Sequence, residues 1–274
     1  MMKQIDQKDV PRLLRYLRND IENCLYLYID VSCYGTDHVD VWMREDGDGI
    51  DLVAMKYHDS FQIYSHKPDP ALTELVELLN RHAPAMINAK HELALLLEPY
   101  FADDYTLVTG NILRLDRFID ISTHKDIAIE EATLADVDEI AALICEDEYY
   151  RHVYTLAEMK AQLTDRIRTG MGVSYIIRDG KKIIAHDSIT AQVDDICIAG
   201  IMIVHKDYRK TNYAILLEKF MIEEARRRNK KLFGFSTNKR REKQFVMMGN
   251  RIVARYGKLV KQTISCAEKE GERK

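Results

Sequence analysis

Three groups of residues have types and spacing suited to chemistry. The first is Val204-His205-Lys206-Asp207-Tyr208-Arg209-Lys210-Thr211-Asn212-Tyr213-Ala214, where an apolar run ends, a short polar link follows and a helical pattern begins. Backbone N–H groups at a helix start have no intrahelical acceptor and lie at the positive end of the helix dipole, so such a corner can cradle a pyrophosphate. Lys210, Thr211, Asn212, Tyr213 and Ala214 would supply those donors. The alternative is a plain strand-to-helix turn.

The second group is Glu146, Asp147, Glu148, Tyr149 and Tyr150, three carboxylates beside two aromatic rings, a combination that attracts an amine. A solvated helix end is the simpler account of it. The third group could act as a general base: Asp194, Asp195 and His186, all near the open end of one apolar strand by strand reckoning. Turn formation explains the two aspartates as readily, and His186 has the alternative of a satisfied core or surface histidine.

The elements that must position these groups follow from hydrophobic period and cap signals. Thr133 with Asp136, and Thr155 with Glu158, are capping boxes. The first opens a helix with Val137, Ile140, Ala141 and Ile144 on one face; the second opens one carrying Leu156, Met159, Leu163 and Ile167 that stops at Gly170. Strands are expected over 173–178 and 182–192 around an Asp179-Gly180 hairpin turn, and a single buried strand over 196–204 after a second turn at 193–195. A helix with Ala214, Leu217, Met221 and Ala225 inward then leads to a short strand over 231–236, parallel to 196–204 because a helix separates them.

The first half repeats this order in abbreviated form. Helical spacing over 10–24 precedes strands over 39–43, 50–57 and 61–66, a helix over 70–80, a strand over 85–89, a helix over 91–100 and a strand over 107–115. Shared order in two halves implies duplication. Pro68 and Pro70 stand where the first half would need amide donors, so it lacks a phosphate-binding turn and is expected to be structural.

The residues 204–214 carry a resemblance to the GNAT superfamily of acyl-CoA N-acyltransferases, covering about 127–265. The family has, at this place, a strand ending in Val and then aromatic-Arg-x-x-Gly-x-Gly/Ala opening a long helix; Tyr208, Arg209 and Ala214 match, and Asn212 stands where Gly is usual. Downstream, Asn238, Phe245 and Gly249 occupy positions where the family shows Asn, Tyr and Gly. The resemblance implies acetyl-CoA as co-substrate, bound by Met202, Ile203 and Val204 as the pantetheine rail, by Arg209 to Ala214 at the pyrophosphate, and by Asn238 on the pantetheine arm. It implies that 146–150 shapes the acceptor pocket. Phe245 has no hydroxyl to protonate the leaving thiolate, a role the family's Tyr often plays.

The expectation is therefore an α/β (α+β) protein of two GNAT-like domains, each a mixed, mostly antiparallel sheet flanked by helices. They span 1–115, degenerate, and 127–268, with a linker at 116–126 and a disordered tail at 269–274. The expected activity is acetyl transfer from acetyl-CoA to a small-molecule or peptide amine by direct attack in a ternary complex. The alternatives are a CoA-binding or ligand-sensing module that has lost its acid, and a structural, partner-binding protein.

Composition agrees with that outline. At 274 residues, 46% apolar and 31% charged, the chain has room for two cores, and a formal charge of -4 gives no reason to expect a nucleic-acid or membrane partner. Arg226 to Arg228, Lys230, Lys231 and Lys239 to Arg241 could meet a CoA 3′-phosphate or RNA, although complementing helix ends explains most of them. Five scattered cysteines, never spaced CxxC, indicate neither disulfide framework nor metal. With no apolar span or leader, a cytoplasmic location is expected, and a homodimer remains open.

Overall fold

The structure is a computed structural model that describes residues 1–47, 49–118 and 127–262, apart from the side chains of Tyr149 and Val153. Most of the expected linker and all of the expected tail lie outside the described residues. The chain divides into two compact units, Ile112–Val253 and a unit formed by Met1–Asn111 with the segment beginning at Ala254. The second boundary differs from the sequence expectation, which ran the second domain to 268. The last strand leaves its own unit because its residues Tyr256 to Val260 pair antiparallel with Lys90 to Met86.

In the first unit the elements are β1 (Lys3–Gln4), α1 (Val10–Arg18), α2 (Leu25–Tyr34), β2 (Asp40–Asp46), β3 (Gly49–Tyr57), β4 (Ser60–Tyr64), α3 (Thr73–His82), β5 (Met86–Lys90), α4 (His91–Phe101) and β6 (Tyr105–Leu115), which carries the chain into the second unit. Strands β1 to β4 pair antiparallel in order, and β4 and β5 run parallel. Sequence reasoning missed α2. Its Leu25, Leu27, Tyr28, Ile29 and Val31 are all buried, so no polar face gives it a helical period. Phe61, Ile63, Leu75, Leu79, Ile87, Leu93 and Leu97 fill the core of this unit.

The second unit contains β7 (Glu130–Glu131), α5 (Val137–Cys145), α6 (Glu148–Val153), α7 (Leu156–Thr169), β8 (Val173–Asp179), β9 (Lys182–Val193), β10 (Ile196–Ala199), β11 (Ile203–Val204), α8 (Tyr213–Arg227), β12 (Lys231–Ser236), α9 (Lys239–Met247) and the first residues of β13 (Arg251–Lys261). Both capping boxes form: Thr133 and Asp136 bond reciprocally at a 3-10 turn leading into α5, and Thr155 and Glu158 do so at α7. Gly170 stops α7 in the left-handed conformation, at φ 70°. The first hairpin turn lies one residue later than expected. Asp179 pairs with Lys182, so Gly180 and Lys181 are the central pair, and of these only Gly180, at 59°, has positive φ.

Neighbouring strands run β7-β8-β9-β10-β12, antiparallel except for the parallel pair β10–β12. Alternation along β8 sorts the two faces. Val173 and Tyr175 pack with Met221 and Ala225 of α8, whereas Ile176 packs with Ile140 and Ile144 of α5 and Met159 of α7. Among the described residues no helix is long and apolar enough to cross a membrane, and no group of three or more His, Cys, Asp or Glu could hold a metal ion.

Candidate functional site

The single strand expected over 196–204 is broken. Strand β10 leaves the ladder after Ala199, with a register shift against β9 between Ile198 and Ala199, and β11 resumes at Ile203 opposite His186. Gly200 sits in the break with its N–H 2.7 Å from the Ser188 carbonyl, and a Cβ there would come within 2.2 Å of Ser188 Oγ. Only a residue without a side chain permits that approach. Gly200 inside the apolar run was the sign available in the sequence, and the apolar residues on both sides of it masked the break. Strand β10 pairs with both β9 and β12, whereas β11 pairs with β9.

Beyond β11, His205 accepts the Asp207 N–H on Nδ1 and starts a 3-10 turn over Lys206–Tyr208. The N–H of Thr211 bonds the Tyr208 carbonyl at 3.1 Å, and that of Tyr213 meets Thr211 Oγ1 at 3.4 Å. The N–H groups of Lys210, Asn212 and Ala214 have no acceptor among the described residues. Of the five donors expected from the sequence, three are therefore available, and the turn itself is exposed. Asn212 has φ -88°, a backbone any residue adopts, so the glycine usual at this position is not needed for conformation here.

Two charged contacts tie the turn to the loop before α6. Arg209 donates from Nε to the Val204 carbonyl at 3.2 Å and from Nη2 to Asp147 at 3.2 Å. His205, buried, has Lys182 Nζ at 3.0 Å and Glu146 at 3.6 Å from its Nε2. Glu146 and Asp147, expected to face an acceptor, are thus brought to the edge of the proposed phosphate corner. Glu148 and Tyr150 belong to α6, a short helix of its own between the two helices expected from the sequence; Tyr150 packs beside the α5–α7 core and Glu148 is exposed. The side chain of Tyr149 lies outside the described residues.

No protein-family model and no curated relative matches the sequence. Solved structures do match. A tandem GNAT protein from the clavulanic acid biosynthesis pathway is similar over 97% of this chain and 99% of its own, with a TM-score of 0.59 at 10% identity. The fold is that of a tandem GNAT protein. A GCN5-related N-acetyltransferase-like protein from Streptococcus suis is similar over 93% of this chain and 100% of its own, with a TM-score of 0.60 at 12% identity. A Drosophila protein matches over 96% and 99%, with a TM-score of 0.69 at 14% identity.

On this GNAT fold, the other residues expected at the site have mixed positions. Met202 is half-buried; Ile203 packs with the α5–α7 core, and Val204 packs with Leu217 of α8. Asn238 caps α9, its Oδ1 accepting the N–H groups of Arg240 and Arg241 at 3.1 Å each, so that oxygen is engaged in holding the helix. Phe245 is 6% exposed, in one core cluster with Leu113, Tyr175, Met221 and Leu232. Its ring meets the Arg241 guanidinium at 5.5 Å from its centroid.

The three base candidates separate. Asp194 and Asp195 form the β9–β10 turn: Asp194 has φ 47°, Lys230 bonds its carbonyl, and Lys231 pairs with the Asp195 carboxylate at 2.8 Å. They lie eight residues or more along β9 from His186, about 26 Å at the strand rise. His186 is fully buried, with Nε2 3.1 Å from Ser174 Oγ, and Nδ1 makes no hydrogen bond within the described residues. Burial pushes its imidazole down to about 4, against the opposing effect of the Ile201 carbonyl, so it is neutral near pH 7.

The cationic end of α8 serves structure in this GNAT fold. Glu224, buried, accepts from Arg227 and Arg228 and from the Tyr175 hydroxyl, and Arg226 bonds the Asp116 carbonyl. Arg227, helped by Arg228 and Tyr175 against the effect of burial, holds the Glu224 carboxyl at about 2.

Sequence reasoning missed one group beside the broken strand. Asp187 is 4% exposed, and its Oδ1 accepts the Ser188 N–H at 2.8 Å. Burial pushes its carboxyl up to about 7, with Glu218 adding to the rise while the Ser188 N–H and Arg241 oppose it. Glu218 on α8 pairs with Arg241 on α9, and Arg241 Nη2 lies 4.0 Å from Met202 Sδ. The available signal was an aspartate interrupting the buried β9 run, Ile183 to Ala191, where an unpaired carboxylate is costly.

Proposed function

We propose that the second unit binds an acyl-CoA and transfers its acyl group to an amine. The observation that carries this reading is the set of unengaged N–H groups of Lys210, Asn212 and Ala214 where a broken strand enters α8. Donors without internal partners at a helix start suit a diphosphate, and the GNAT fold supports CoA as its source. Met202 to Val204 would flank the pantetheine, and Arg209 would add a charge, shared with Asp147, beside the pyrophosphate.

The acceptor is an amine, small molecule or peptide; Glu146 and Asp147, held at the phosphate corner by His205 and Arg209, do not form its pocket. Positioning the amine against a thioester, whose thiolate is a fair leaving group, can supply much of the acceleration without a tyrosine acid. Calorimetry with acetyl-CoA, followed by thiol release with a panel of amines, tests the reading. Binding with amine-dependent thiol release is expected; no heat at millimolar acetyl-CoA would overturn it.

A second reading, a CoA-binding module without transfer, is favoured by the core position of Phe245, which offers no acid. Binding without thiol release would select it.

A further inference from the structure

The break between β10 and β11 interrupts the pairing along one edge of β9, where the Gly200 N–H still bonds the Ser188 carbonyl. His186 pairs with Ile203 and Ile189 with Ala199, so Asp187 and Ser188 face the 200–202 break. Alternation puts Asp187 on the same side of the sheet as its cross-strand partner Tyr175, the side covered by α8. There the nearby charges come from separate elements: Glu218 from α8 and Arg241 from α9. On β8 the Tyr175 hydroxyl is directed to Glu224, and on β9 itself His186 lies on the other face and bonds Ser174.

Asp187 Oδ2 makes no hydrogen bond among the described residues, although the residue is almost wholly buried. Arg241 neutralises one of the two carboxylates and pairs directly with Glu218. The cluster therefore contains one negative charge too many for a buried site, a condition met by taking up a proton. Arg241 is 40% exposed at its side chain and touches Met202 on the proposed pantetheine rail, which links the cluster to solvent and to the place where a thioester would lie.

We propose that Asp187 is a catalytic residue, the group that takes the proton from the acceptor amine, an assignment that rests on the acyl-transfer reading of this unit. The acceptor arrives as an ammonium. One N–H proton passes to the Asp187 carboxylate, and the freed lone pair forms the N–C bond to the thioester carbonyl carbon. The C–S bond then breaks, and the departing CoA thiolate takes the second surplus proton from nitrogen. Asp187 returns its proton to solvent past Arg241. The products are an amide, the free thiol of CoA and one proton.

The test is the pH dependence of amine-dependent thiol release, with acetyl-CoA binding measured in parallel. D187N should lower kcat about 100-fold with the KM for acetyl-CoA within about threefold, abolish the rising limb near pH 7, and regain part of its rate as D187E. Glu218→Gln should move that limb to lower pH, and Arg241→Gln should move it to higher pH, because the two side chains act on Asp187 with opposite sign. Carboxyl-carbon NMR of aspartate-labelled protein follows the same group without turnover, and its titration should move when acetyl-CoA is added. A folded D187N with an unchanged limb, or E218Q and R241Q shifts of the same sign, would overturn the assignment of Asp187 and leave acyl transfer standing. Wild-type protein that binds no acetyl-CoA, or binds it and releases no thiol with any amine, would overturn the transferase reading and Asp187 with it.

Discussion

Arg209 and Asp147 form an ion pair of 3.2 Å that joins the start of the proposed phosphate-binding corner to the loop before α6. The pair is partly exposed, at 53% and 27%, so it contributes little to stability. Its effect is on charge: while it is made, the cation next to the unengaged N–H groups is shared. Asp147→Asn should therefore strengthen acetyl-CoA binding about two- to fivefold at low salt, an advantage that fades as salt is raised. Arg209→Glu should weaken binding at least tenfold. Calorimetry at two salt concentrations checks both; a weaker D147N complex would show that Asp147 positions Arg209 and does not compete for it.

Phe245 fills the core between β8, β12 and α8. Phe245→Ala should cost about 3–5 kcal/mol. Phe245→Tyr brings a hydroxyl into that core and should lower stability by about 1–3 kcal/mol unless it finds a partner, with no gain in thiol release. Denaturant titration and the thiol assay read the two effects, and a faster, equally stable F245Y would place the ring edge at the reacting thioester.

Glu224 tests the structural account of the α8 cations. Its folded carboxyl stands at about 2 against an ordinary 4.5, so it contributes stability above pH 4.5 that is lost as pH falls through about 2. Glu224→Gln should cost about 1–2 kcal/mol at pH 7, modest because Arg227 is exposed. The difference from wild type should vanish near pH 2. A constant difference across pH would assign the loss to packing.

Asp187 has the opposite linkage. Its folded carboxyl is raised from 3.8 to about 7, so the native state holds the proton more tightly than the unfolded chain does. The stability it contributes is present below pH 3.8 and is lost as pH rises to 7. Asp187→Asn removes that slope, and at pH 8 it should be more stable than wild type by a few kcal/mol at most. Thermal melts at pH 4 and pH 8 measure it; an identical pH dependence in both proteins would place a normal carboxylate at this position.

Local signals decided what was legible beforehand. The capping boxes at Thr133 and Thr155, the stop at Gly170 and the α5 face of Val137, Ile140, Ala141 and Ile144 all depend on residues within one or two turns of each other, and each forms as expected. The strand-to-helix corner at 204–214 was legible for the same reason: helix-start chemistry is local.

What the sequence by itself determined is the order of most elements, without α2, α6 and the division of β10 from β11, and the place where a phosphate-binding corner could form, because periodicity and capping act between near neighbours in the chain. Tertiary structure alone decided the rest. The break at 200–202 depends on Gly200 meeting Ser188 across the sheet, and the Asp187–Glu218–Arg241 cluster gathers side chains from β9, α8 and α9. No window of sequence contains those contacts, and the charge of a buried carboxyl is set by the partners that folding brings to it.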